Sequence, residues 1–86
     1  MRYRTTARFE RNLRDLEPRV REQFYDQLDV LLDNPRHPSL HTKRVQRQRG
    51  VLEGRVDIHH RFTFHYDRGV LVLRAIGSHD EVLRNP

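Results

Sequence analysis

The apolar residues of this 86-residue chain recur at two different spacings, and the switch between them restricts the fold more than any other feature. Phe9, Leu13 and Leu16, then Val20, Phe24, Leu28, Leu31 and Leu32, repeat every three or four residues, the interval that lines up one side of an α-helix. From Leu52 onward the interval drops to two, the repeat of a strand. Helices followed by a run of strands predict an α+β fold.

Local signals set the boundaries. Residues 1–5 predict a short strand. Thr6 is suited to cap a helix over 7–16, and Pro18 suits the first turn of a second helix, which ends at Asn34-Pro35. Residues 35–50, punctuated by Pro35, Pro38 and Gly50, read as loop. A three-strand antiparallel meander follows over 51–58, 61–67 and 70–76, with Asp67-Arg68-Gly69 turning between the last two strands.

Alternation then assigns faces. Leu52, Val56 and Ile58 point to the core, as do Phe62, Phe64 and Tyr66. Val70-Leu71-Val72-Leu73 is apolar on both sides and belongs inside the sheet. The helical hairpin should cover one face, leaving Arg55, Asp57, His59, Arg61, Thr63 and His65 on the other. Gly77 frees the backbone to turn and brings His79 beside that second face.

The length points to one domain spanning residues 1–86. A chain this short buries only about 60% of its unfolded surface. It has no cysteine with which to add a disulfide or a thiolate zinc site. No segment resembles a signal peptide or a membrane span, so a cytoplasmic protein with no membrane partner is expected.

Charge is unevenly distributed. Residues 1–34 carry seven arginines against seven acids, and residues 62–86 carry three against three. The whole excess lies in 35–61, where Arg36, Lys43, Arg44, Arg47, Arg49, Arg55 and Arg61 face only Glu53 and Asp57. His37, His41, His59 and His60 lie there too. A cationic excess confined to one segment marks a polyanion site. The alternative is a solvated face in which Arg55 and Arg61 pair with Glu53 and Asp57.

Those residue types match one chemistry well. RNA can be cleaved by its own 2′-hydroxyl if a protein removes that proton, stabilises the phosphorane and protonates the leaving oxygen. Imidazole titrates near neutral pH and guanidinium matches phosphate oxygens in pairs. His79 and His59 are the candidate proton carriers, and Arg55 and Arg61 the candidate phosphorane clamps. Lys43, Arg44, Arg47 and Arg49 are candidates to hold RNA backbone. No ligand spacing supports a metal site, and no phosphate-cradling glycine loop or Ser-His-Asp signature is present, so no cofactor is expected.

The motifs His37-Pro38-Ser39-Leu40, Lys43-Arg44-Val45, Leu52-Glu53-Gly54-Arg55-Val56, Arg61-Phe62 and Ile76-Gly77-Ser78-His79-Asp80-Glu81-Val82, in that order, resemble the RelE/ParE toxin superfamily over nearly the whole chain. The resemblance implies a strand, a helical hairpin and an antiparallel meander. It also implies a toxin of a type II toxin–antitoxin system, held by a cognate antitoxin protein. RelE-like members cleave mRNA in the A site of the 70S ribosome without metal, leaving a 2′,3′-cyclic phosphate. Arg55 falls at the family arginine that contacts the scissile phosphate, and Arg61 at a second phosphate-binding arginine. His79 stands where RelE-type members carry a catalytic arginine and the YafQ-like branch a histidine. Asp57-Ile58-His59 is similar to that branch's Asp-x-His, which adds Asp57 to the RNA-binding set with Asp80 of the Gly-x-His-Asp end. Leu52 replaces a common tryptophan, and Leu83 stands where RelE has a catalytic tyrosine. ParE-like members share the fold but poison DNA gyrase, so the resemblance leaves a non-enzymatic gyrase inhibitor, or an inactive toxin, as alternatives.

Overall fold

The computed structural model describes residues 1–86. Strand β1 (Tyr3–Thr5) leads into α1 (Ala7–Asp15) and α2 (Pro18–Asp33). A 3-10 turn (Pro38–Leu40) precedes β2 (Lys43–Arg44), β3 (Leu52–Arg55), β4 (His60–Asp67) and β5 (Val70–Ser78), and α3 (His79–Arg84) follows. The sheet order is β1-β5-β4-β3-β2, with β1 parallel to β5 and every other pair antiparallel. No helix is long and apolar enough to cross a membrane.

The helical hairpin forms as the sequence predicts. Thr6 caps α1 by accepting the amide of Phe9, and Pro18 opens α2. Arg21 fastens the two helices: its guanidinium donates to the carbonyls of Leu13, Arg14 and Leu16. The Leu13 carbonyl also accepts the Leu16 amide, and the carbonyls of Arg14 and Leu16 lie past the last intrahelical bond.

The core lies between this hairpin and one sheet face. Phe9, Leu13, Val20, Phe24, Leu28 and Leu31 meet Val56, Phe62, Phe64, Leu71, Leu73 and Ile76, with Leu40 closing one side. Aromatic rings run through it in a row. Phe24 sits 5.4 Å from Phe9 and 5.6 Å from Phe62, and Phe62 stacks on Phe64 at 5.8 Å. Each such contact adds about 0.5–1.5 kcal/mol beyond area burial. Gly54 makes the stack possible, because a Cβ there would come within 2.3 Å of Phe62 Cζ.

The sheet departs from simple alternation in three places. β3 stops at Arg55, so Ile58 is not a core residue: it stands in the connecting turn, 71% exposed. Tyr66 keeps to the core side, its ring edge 6.0 Å from Phe64, but lies at the rim and is exposed. The register of β4 against β5 shifts at Thr63/Phe64, where Arg74 is the extra residue of a bulge. Leu73 and Ile76 therefore share the core face although three residues apart.

The second face is less open than alternation predicts. α3 packs against β4 and β5, so the third helix lies across from the hairpin rather than beside it. Val45, Val51, Val72, Ala75 and Val82 are buried outside the main cluster. Thr63, expected at the surface, is fully buried and donates to the carbonyl of Pro86, as does Arg74. Residues 35–50 are not wholly loop, since they supply the 3-10 turn and edge strand β2.

Gly54→Ala should destabilise the protein by about 1–3 kcal/mol, since it forces the Phe62 ring out of its packed position. The change is read as a lower urea midpoint at unchanged slope. The same substitution at Gly77, where the nearest atom to a new Cβ is 3.6 Å away on Val82, should cost clearly less.

Candidate functional site

The register of β3 on β4 sets Arg55 directly opposite Arg61, with Glu53 opposite Thr63 one step along the same face. Lys43 pairs with Glu53 and joins this face. Arg44 pairs with Leu52 and therefore points to the other side of the sheet edge, away from Arg55. Like charges directly opposed across two strands repel, so the two arginines need counter-charge.

They obtain it unequally. Arg61 is only 9% exposed. Its Nη1 donates to the carbonyls of Asp57 (2.6 Å) and His60 (3.0 Å), and its Nε lies 4.0 Å from buried Glu53. Arg55 is half-buried and makes no ion pair, and its buried Nε has no hydrogen-bond partner. Leaving such a donor unsatisfied costs about 1–3 kcal/mol or more on a charged group. The Arg55 backbone is fixed from the other side, where its carbonyl accepts from Gln27 of α2 at 2.8 Å.

Between the two arginines the chain turns through 56–59. Asp57 organises the turn: one carboxylate oxygen accepts from the amides of His59 and His60 and from the ring of His60. Partial burial pushes its pKa up, but these hydrogen bonds and the neighbouring imidazole outweigh it and hold the carboxyl below its ordinary value. Asp57, expected among the RNA-binding residues, is thus engaged inside the turn. His59 is left exposed, and its carbonyl accepts the amide of His79 at 2.9 Å.

That bond joins the turn bearing His59 to the first residue of α3, His79. Ser78 and Glu81 cap α3 reciprocally, the Ser78 oxygen accepting the Glu81 amide while its hydroxyl donates to the Glu81 carboxylate. The His79 side chain is 48% exposed, with Nδ1 3.2 Å from a carboxylate oxygen of the exposed Asp80. His65, expected on this face, lies farther along β4. Its Nδ1 accepts from Arg74, and burial, then the Arg74 charge, lowers its pKa despite Asp67 nearby.

The β2–β3 hairpin forms the basic wall. A hollow of about 1100 Å³ is lined solely by residues 43–52, which include Lys43, Arg44, Arg47 and Arg49 and no acid. A shallower groove of about 380 Å³, lined among others by Lys43, Arg47, Glu53 and Leu83, connects the hairpin to α3. Arg47 donates to the Leu83 carbonyl across it. No cluster of three or more histidines, cysteines or carboxylates is arranged to hold a metal ion.

YafQ from E. coli strain BL21(DE3) superposes with a TM-score of 0.78 at 12% identity, covering 95% of this chain and 98% of that one. The YoeB/ParE toxin from Agrobacterium tumefaciens gives 0.77 at 16% identity over 92% and 99%. The RelB-RelE antitoxin-toxin complex of Methanococcus jannaschii gives 0.75 at 10% identity over 95% and 98%. The fold is that of the RelE/ParE toxins. No family model and no curated protein matches the sequence. The RelE/ParE fold expected from the motifs is therefore present, with Arg55 at the end of β3, His59 in the turn that follows and His79 at the start of α3.

Because Asp57 is more acidic in the fold than in the unfolded chain, the fold binds that proton less readily. Its contribution is complete above the ordinary value of 3.8 and is lost as the pH falls through the lower folded value. Asp57→Ala should cost about 1–3 kcal/mol at neutral pH through its unmade hydrogen bonds. Urea titrations at stepped pH should show the gap to wild type closing below 3.8.

Proposed function

We propose that this protein is the toxin of a type II toxin–antitoxin system and cleaves mRNA in the ribosomal A site by metal-independent attack of a 2′-hydroxyl. The observation that carries the reading is Arg55: a half-buried guanidinium with no carboxylate partner and an unsatisfied Nε, at the end of β3 where the turn bearing His59 begins, a turn hydrogen-bonded through its backbone to His79. A phosphodiester at the outer end of that guanidinium would supply the counter-charge Arg55 lacks, and a two-toothed guanidinium contact fits a phosphate better than a point charge would.

In the proposed reaction one imidazole takes the 2′-hydroxyl proton while that oxygen bonds to phosphorus. Arg55 stabilises the negative charge that grows on the phosphorane oxygens. The bond from phosphorus to the 5′ oxygen then breaks, and a second imidazole protonates that oxygen, leaving a 2′,3′-cyclic phosphate and a 5′-hydroxyl. His79, half-exposed at the start of α3, is the leading proton carrier and His59 the second. Lys43, Arg47 and Arg49 guide the backbone along the hairpin, and Arg44 serves RNA or ribosome on the opposite side of that edge. Exposed Asp80 orients the His79 ring. A cytoplasmic antitoxin covers the basic face between episodes of activity, a role supported by the RelB-RelE complex of the same fold. Contact with the 70S ribosome supplies the mRNA in a defined conformation.

Induction of the wild type in cells should arrest growth and create new transcript 5′ ends, mapped by sequencing. His79→Ala, at a half-exposed position, should stay folded and abolish both effects. A folded His79→Ala protein that remains fully toxic removes His79 from the mechanism. Growth arrest with a DNA-damage response and no new ends identifies a gyrase poison instead. In vitro, Arg55→Gln should weaken binding of single-stranded RNA and flatten the salt dependence by about 0.7 in slope, the value for one lost phosphate contact.

A further inference from the structure

We infer that Arg61 is a positioning residue for the two histidines and does not bind the substrate phosphate. The inference rests on the nuclease reading above for its kinetic consequence, but on geometry alone for its structural one.

The Arg61 guanidinium is already committed. It donates to the carbonyls of Asp57 and His60, which bracket the turn carrying Ile58 and His59, and its remaining edge faces Glu53. The His60 carbonyl also accepts the amides of Val56 and Asp57, so Arg61 is the side-chain member of the bond set that closes this turn. Asp57 closes it from the opposite direction through the amides of His59 and His60. The turn in its stiffened form presents the His59 carbonyl to the His79 amide. Arg61 is thus linked to the first residue of α3 through the backbone of the turn and the hydrogen bond from the His79 amide to the His59 carbonyl. Moving Arg61 onto a phosphate would break two hydrogen bonds to carbonyls and leave Glu53, which is 5% exposed, without its closest cation. Arg55, directly across the ladder, has no such commitments. The pair therefore divides the work: Arg55 meets the anion, and Arg61 sets where His59 and His79 stand.

The full-length protein carrying Arg61→Gln or Arg61→Lys tests this. Gln removes the charge. Lys keeps a cation near Glu53 but its ammonium lacks the planar fork that spans two carbonyls. Three quantities are read: exchange of the His79 amide by NMR, affinity and salt slope for a short single-stranded RNA, and the single-turnover cleavage rate on programmed ribosomes. The expected result for both variants is His79 amide exchange faster by about tenfold or more. RNA affinity should stay within about twofold of wild type at an unchanged salt slope, because no phosphate contact is lost. Cleavage should slow by about tenfold or more, as misplaced groups do. If Arg61→Gln does not fold, Arg61→Lys decides by the same readings. The inference is overturned if the His79 amide stays protected, or if Arg61→Gln flattens the salt slope as Arg55→Gln does. A wild type that cleaves no RNA sinks the nuclease reading, while amide exchange still decides whether Arg61 holds the turn.

Discussion

The tip of the Phe62 ring, set into the space over Gly54, is the contact on which the rest of this molecule depends. It closes the gap between β3 and β4 on the core side and lets the Phe62 ring reach both Phe24 of α2 and Phe64 on its own strand. A two-residue ladder is tied to it on the opposite side, for once Gly54 faces Phe62 the next pair must be Arg55 and Arg61. A slip of β3 by one residue would turn Arg55 toward the core and carry Gly54 away from Phe62. The packing of a glycine against an aromatic ring thereby fixes the chemistry of the far face.

That face holds more positive charge than its own acids can neutralise. Glu53 faces Arg61 across the ladder, and Asp57 is consumed by its own turn. The result is a graded site. Charge inside the fold is satisfied at Arg61, and charge toward the hairpin and α3 is left over at Arg55, Lys43 and Arg49. The α2 side presents Glu22, Asp26, Asp29 and Asp33, all exposed, so the excess is also directional across the molecule. A polyanion would approach from the hairpin side, and added salt would weaken that approach.

Much of this could be read from the residues. The switch in apolar spacing between Leu32 and Leu52 gave both helices, the meander and an interior β5, because one buried face per element dictates the period. Alternation also placed Arg55 and Arg61 together. It failed where a local bond overrides the period. Ile58 looks like a core position, yet Asp57 captures two amides and ends the strand before it. The bulge at Arg74 comes from pairing, which a single strand does not encode. α3 was missed although its signal is present: Ser78-His79-Asp80-Glu81 is a capping box with two acids in the first turn. Its consequence, a second cover that buries Thr63 and Ala75, was hidden with it. Nor does the sequence distinguish a buried arginine from a free one. The opposite fates of Arg55 and Arg61 depend on which carbonyls the turn exposes.

The central proposal is that the unpaired guanidinium of Arg55 and the imidazoles of His59 and His79 meet one RNA. NMR titration with a short RNA made uncleavable by a 2′-deoxy substitution tests it most directly. The account predicts that Arg55 Nε–H becomes protected and shifts together with the rings of His59 and His79 and the amides of residues 43–49, all at one common affinity. Shifts confined to other surfaces, or an Arg55 resonance that does not move at saturation, would contradict it.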